Sequence, residues 1–308
     1  MKKTKSIQTA KKSDLIFYIG WIVLPVIQFL IFYCVVNFNS FTLAFKKYNI
    51  NTGNFDWEGF YNFKDLFRNL TLPGDPLPTA LKNSLILYLC NTLIGVSLAL
   101  VFSFYIYKKK FASEFFRVVL FLPQIFSAIV MVIVYKFFTD RAIPEMIFKL
   151  TGSRPMGVLS EESTRFGAIV FFNIWTGFGT NILMYVSAMT KIPTEITEAA
   201  ALDGVSAPRE FFQITLPLIY PTISAFMVIG ITAIFTSQGA IYEFFGEKLP
   251  DGNLYTVGYY LFRYVLESAG LNNYAYASAV GIIATCIAAP ITLTLRKVLD
   301  HFDPSREM

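Results

Sequence analysis

Six stretches of this chain carry no charged side chain at all: Ile16–Val36, Asn83–Tyr107, Val118–Tyr135, Phe166–Thr190, Ile214–Tyr242 and Ala269–Leu295. Together they hold 145 of the 308 residues, and all 47 charged side chains fall in the other 163. A bilayer core takes helices of ~20 predominantly apolar residues and penalises charge, so this segregation predicts membrane spans. The composition agrees. The chain is 55% hydrophobic and 15% charged, with mean hydropathy +0.52, where a soluble domain carries about 25% charged residues. The expected fold is all-α: a polytopic membrane protein with six transmembrane helices at 16–36, 83–107, 118–135, 166–190, 218–236 and 275–295. A basic tail (1–15) precedes this 16–295 domain, a second tail (296–308) follows it, and the loop 191–217 joins spans four and five.

Charge also predicts orientation. The gaps on the N-terminal side hold 14 Lys/Arg in 61 residues, against 12 in 102 on the opposite side. The positive-inside rule places both termini in the cytoplasm, with Lys108-Lys109-Lys110 as the clearest marker. Lys2, Lys3 and Lys5 before an apolar run resemble a signal peptide. That run is longer than a signal h-region and no A-x-A site follows it, so it is read as a retained span. On the outer side, Trp57, Phe60, Tyr61, Phe63, Leu66 and Phe67 have the spacing of a short amphipathic helix. Aromatic residues of this kind favour the headgroup level, and they also suit a docking face.

Several chemistries are excluded. Cys34, Cys90 and Cys286 are far apart in apolar stretches, which suits inert core thiols. His301 is the only histidine, so neither a zinc site nor a His-based triad is expected. No G-x-x-x-x-G-K-[ST] occurs, so the chain has no phosphate-cradling loop of its own. The net charge of +5 is accounted for by topology and does not point to nucleic acid.

Ion-coupled carriers keep ionisable groups within the membrane, and these spans have none. What remains is polar and neutral: Gln28, Asn91, Gln124, Ser127, Asn173, Thr176, Asn181, Thr232 and Ser237. Amides and hydroxyls hydrogen-bond the hydroxyls of a neutral solute, and aromatic faces cover its C–H surfaces. Span four is richest. Asn173, Gly177 and Asn181 share one helical face, beside Trp175 and Thr176. The substrate path is therefore assigned to Asn173, Trp175, Thr176, Asn181, Gln124, Ser127 and Ser237. The same residue types also serve helix–helix packing. Prolines at 123, 217, 221 and 290 predict kinks.

The loop between spans four and five reads Ile192-Pro193-Thr194-Glu195-Ile196-Thr197-Glu198-Ala199-Ala200-Ala201-Leu202-Asp203-Gly204-Val205-Ser206-Ala207-Pro208. Two short helices with a break are expected. Thr194 caps the first, Gly204 makes the positive-φ turn that ends it, and Ser206 caps the second with Pro208 in its first turn. Smooth alanines flanked by Glu198 and Asp203 suit insertion into a groove.

Glu198-Ala199-Ala200, Asp203-Gly204, then Ile214, Leu216-Pro217 and Pro221, resemble the EAA motif of permease subunits of bacterial ABC importers. Further segments are similar to the carbohydrate-uptake branch, the maltose-type first permease: Phe63 to Phe67, Ala80 to Ser84, Arg117 to Pro123, Asn173 to Gly179, and Tyr276 to Ala279. The likeness runs from about residue 15 to about residue 300. It departs at Ser237-Gln238-Gly239-Ala240, where the branch has a Gly-Gly-Gly-Pro-like turn, and at the extended segment to Leu254.

The resemblance implies an importer subunit of the bacterial cell membrane, not an enzyme, carrying a sugar or oligosaccharide. A second permease encloses the path with it, and an extracellular binding protein delivers solute. Two ATPase subunits, which hold ATP and Mg, receive the EAA helices. Glu198, Ala199, Ala200, Asp203 and Gly204 are the implied ATPase contact. The same motif also fits a non-sugar cargo such as glycerol phosphate, and a stand-alone facilitator is the remaining alternative.

Overall fold

The computed structural model describes residues 3–266 and 272–304. The extreme ends of the two expected tails, and the residues just before the sixth span, lie outside the described residues. The chain divides into two compact units, Met1–Arg68 with Ser268–Ile283 and Asn69–Glu267 with Ala284–Met308.

In the first unit a helix that starts at Lys3 continues into α1 (Phe17–Leu43), so helix already occupies the segment expected as a basic tail. A small antiparallel hairpin follows, β1 (Lys46–Asn49) and β2 (Asn54–Trp57), with Lys46 opposite Trp57 and Asn49 opposite Asn54. It departs from the all-α expectation. The Asn62 amide holds it by donating to the carbonyls of Ala44 and Lys46, both at 2.8 Å. Phe45 stacks on Trp57 at 5.6 Å and leans on Phe63 at 5.2 Å. The expected amphipathic aromatic helix is present as α2 (Tyr61–Thr71).

The second unit is a helical bundle. Its long elements are α3 (Pro76–Tyr107), the pair α4 (Ser113–Ile125) and α5 (Ala128–Thr151), and α6 (Glu162–Met189). Next come α7 (Thr194–Leu202), α8 (Ala207–Thr236), α9 (Ile241–Phe245) and α10 (Val257–Leu266). The last helix, α11 (Asn272–His301), has residues in both units. Among the described residues, five helices are long and apolar enough to cross a membrane, or six if α4 and α5 are one broken span.

That break corrects the expected continuous span at 118–135. α4 and α5 meet at 106°. Pro123 cannot donate to the helix ladder, Phe126 turns extended (φ −84°, ψ 151°), and Ser127 becomes the cap of α5. α4 lies against α6 where Gly179 permits it. A Cβ there would sit 2.7 Å from the Leu120 carbonyl oxygen.

Two apolar cores hold the bundle. One joins Ala99, Ile106, Ile182, Tyr185, Met189 and Ile219 across α3, α6 and α8. The other gathers Tyr135, Ile169, Phe172, Ile241, Phe244 and Tyr259. The second core fastens the extended segment between α8 and α10 onto the bundle.

Candidate functional site: a neutral cavity and an exposed hairpin

A cavity of about 240 Å³ opens between α3, α6 and α8. α3 contributes Ser84, Tyr88, Asn91 and Thr92, which fall on one face because helical neighbours recur every three to four residues. Asn91 stands at the start of a widened π-type turn, Asn91–Val96, and its side chain leans over Gly95, where a Cβ would meet Asn91 Oδ1 at 2.8 Å. α6 contributes Asn173 and Asn181, and α8 contributes Met227 and Gly230, with Ser237 just beyond it. The Tyr88 ring closes on Gly230 (3.0 Å to a Cβ built there), while its hydroxyl donates to the Met227 carbonyl at 3.2 Å.

Among the described residues, no charged side chain lines this cavity. Among the described residues, neither the Asn91 nor the Asn181 side chain has a hydrogen-bond partner. Each amide therefore offers two donors and an acceptor to whatever enters. Gly177, one turn from each asparagine of α6, faces open space.

Asn173 is bound instead. Its amide donates to Ile169 O at 2.8 Å and to Gly239 O at 2.9 Å, pinning the Ser237–Ala240 turn to α6. The extended segment after that turn is tied down along its length. Lys136 Nζ donates to Phe244 O at 2.6 Å. Arg165 pairs with Asp251 and donates to Leu159 O and Ser160 O at 2.6 and 2.7 Å. Asn83 donates to the carbonyls of Asn253 and Tyr255 at 2.7 and 2.9 Å, and Ser84 Oγ accepts from Val257 N–H. The segment thus hangs from Asn173 at its start and from Asn83 and Ser84 at its end, and Asn173 and Ser84 line the cavity.

Of the expected path residues, Asn173, Asn181 and Ser237 meet at the cavity, and the others lie outside its lining. Gln124 donates to the Thr176 carbonyl and clamps α4 to α6. The Thr176 hydroxyl bonds back to Phe172 O at 2.9 Å. Trp175 packs among Tyr135 and Phe172. Ser127 caps α5, accepting from Val130 N–H. Ser84, Tyr88 and Thr92 were missed. Their spacing with Asn91 on one face of span two was the available signal.

The two helices with a break expected over 192–208 are also formed, with their capping revised. Thr194 lies inside the first turn of α7 and Pro193 is the cap residue. Gly204, at φ +70°, ends α7, and the N–H groups of Asp203, Gly204 and Val205 return to the carbonyls of Ala199, Ala201 and Ala200. The expected second short helix is the start of α8, joined to the span through the π-type turn Phe211–Thr215. Ser206 precedes it without a side-chain cap. Ala200 is buried and faces its own chain. Glu198, Ala199, Asp203 and Gly204 are exposed, as is Leu202 at 89%. An apolar side chain that open, beside a fixed turn, was not anticipated. At the base of the hairpin Glu210 is buried and paired with Lys108 at the end of α3.

Residues 91–307 match the model of the "binding-protein-dependent transport system inner membrane component" family. The chain belongs to that family. It is an inner membrane permease component, multi-pass by its helices. The multiple sugar-binding transport system permease protein MsmF of Streptococcus mutans is 25% identical over 295 residues, covering 93% of this chain and 97% of its own. The arabinooligosaccharides transport system permease protein AraP of Bacillus subtilis is 24% identical, covering 90% and 86%. A solved bacterial ABC transporter involved in import of the acidic polysaccharide alginate shares the permease fold. Its TM-score is 0.78 at 22% identity, over 96% of this chain and 99% of that one.

Proposed function

We propose that this permease, with a second permease, forms the path by which an ABC importer takes up a neutral sugar or oligosaccharide. The observation that carries this is the cavity, where two partner-free amides, a tyrosine and hydroxyls converge with no charged side chain. Such a lining hydrogen-bonds hydroxyls and offers an ionic group no counter-charge. The solved neighbour handles an acidic polysaccharide. Here the absence of a lining cation favours the neutral class. The sugar-permease relatives point the same way.

Energy comes from elsewhere in this reading. Two ATPase subunits hold ATP and Mg, and each receives the EAA hairpin of one permease. On this chain Glu198, Ala199, Leu202, Asp203 and Gly204 form the face that enters the ATPase, with Glu198 pairing to a basic side chain there. Leu202 supplies the apolar contact, and Ala200 anchors the helix from behind. The Glu210–Lys108 pair couples hairpin movement to α3, whose other half lines the cavity. Both termini are cytoplasmic, and an external binding protein presents solute to the outer loops.

The test is affinity capture from native membranes followed by mass spectrometry and uptake assays. An ATPase, a second permease and a solute-binding protein are expected to co-purify, with labelled oligosaccharide uptake dependent on ATP. Recovery of the chain alone, transporting in ATP-depleted vesicles, would overturn the reading in favour of a facilitator.

A further inference from the structure

The end of α3 and the start of α8 leave a groove of about 340 Å³ outside the solute cavity. Val101, Phe104, Phe211 and Phe212 form its walls, with the Phe104 and Phe211 rings 5.0 Å apart. The lining is hydrocarbon, with virtually no polar surface. Lys108 and Lys110 belong to its lining, and Lys109 lies between them in sequence. Lys108 is committed to Glu210 and lies 5.8 Å over the Phe104 ring. Lys109 and Lys110 are exposed and, among the described residues, neither has an acidic partner. The turn that presents them is built. Tyr105 Oη donates to Phe111 O at 2.6 Å, Lys109 N–H returns to Ile106 O at 2.9 Å, and Ser113 N–H reaches Lys110 O at 3.0 Å. Lys109 adopts φ +48°, and Phe111 stands 91% exposed beside it.

A hydrocarbon groove with Lys110 in its lining, and with the uncompensated Lys109 and the open Phe111 ring on either side of Lys110 in the same turn, matches an amphiphile with an anionic head. We infer that this groove seats an anionic phospholipid of the inner leaflet. One acyl chain fills the slot, the phosphate lies between Lys109 and Lys110, and Phe111 sits among the headgroups. A protein segment fits less well, because the groove offers its backbone N–H and C=O groups no partners. The leaflet assignment rests on the orientation proposed above. The lipid site itself is a property of the groove. Bound there, the lipid fills the gap behind Phe211 and Phe212 at the root of the EAA hairpin. Hairpin movement would then be sensitive to the composition of the surrounding membrane.

The experiment is native mass spectrometry of the detergent-purified transporter complex titrated with phosphatidylglycerol and, separately, phosphatidylcholine. Retention of the other subunits in the same spectra checks the importer reading independently. The expected result is preferential retention of phosphatidylglycerol. Lys109→Gln with Lys110→Gln, both on the exposed turn, should reduce that preference by about tenfold or more. Val101→Trp, which fills the slot, should weaken both lipids while leaving their ratio unchanged. Equal retention of the two lipids by the unmodified protein, or unchanged selectivity in the lysine variant, would overturn the proposal. So would displacement of the lipid by free glycerol phosphate, which would indicate a simple anion site. A photo-crosslinker at Phe212 is expected to label lipid, and labelling of a second subunit would instead make the groove a subunit interface.

Discussion

Asn173 and Asn181 lie two turns apart on α6 and both reach the cavity, but only Asn173 is bonded to its own chain. Asn181→Ala should therefore lower solute uptake several-fold and leave the unfolding temperature of the complex unchanged. Asn173→Ala should cost about 1–3 kcal/mol as well, because it leaves the Gly239 carbonyl without its donor. Uptake in vesicles and thermal unfolding in detergent, measured together, separate the two. Full uptake by Asn181→Ala would remove that residue from the path. Gly177 offers a complementary check. Its side-chain direction is empty space, so Gly177→Leu should assemble normally and obstruct passage. Unimpaired uptake of a large oligosaccharide by this variant would show that solute passes elsewhere. The sequence made Asn173 and Asn181 visible because polar residues on a span are rare. It could not distinguish them, since the Asn173 partner is a backbone carbonyl 66 positions away.

At the level of elements, the spans were legible and their interruptions were not. Charge-free runs report hydrophobic demand directly, whereas a break depends on where the chain next finds a cap. Pro123 marked the neighbourhood of the α4–α5 corner. The corner itself is fixed by Ser127 just before the apolar run Ala128–Val134, a helix-start pattern that was read as a path residue. The β1–β2 hairpin also went unread, although Asn51-Thr52-Gly53 between two short polar–aromatic runs is a turn signal, and Gly53 does take positive φ. The EAA hairpin was recognised as a motif, while its inward-facing Ala200 and outward-facing Leu202 required the packing. Glu198→Lys is expected to leave ATP hydrolysis running without solute movement. Gly204→Ala should destabilise the hairpin by about 1–2 kcal/mol through strain at φ +70°. Coupled transport at the normal ratio in Glu198→Lys would reject the assigned ATPase face. The Arg165–Asp251 pair fastens the segment between α8 and α10 to α6. Asp251→Ala should cost about 3–5 kcal/mol by stranding a largely buried guanidinium, and Arg165→Met with Asp251→Leu should recover much of it. Equal stability of single and double variants would show that the pair does not hold the segment.

Within the second unit, elements far apart in sequence are joined by polar ties that include Lys108 to Glu210, Asn83 to Asn253, Ser84 to Val257 and Arg165 to Asp251. Many large apolar side chains stay exposed on the chain by itself. A membrane permease component presents such a surface to lipid, and the proposed second permease would cover part of it. Co-expression without the second permease should therefore reduce the amount of folded chain recovered from membranes. Equal recovery would mean that lipid alone suffices. The ties also set a timetable. Asn83 is synthesised early, yet its partner carbonyl at Asn253 is 170 residues further along the chain. At ordinary synthesis rates of about 5–20 residues per second, that amide waits ~10–35 s for its acceptor. During that interval the Asn83 amide of span two lacks the protein acceptors it has in the folded chain. Slowing synthesis between α6 and α10 would lengthen the exposure and speeding it would shorten it, so the yield of correctly assembled permease becomes a matter of translation rate as well as of sequence.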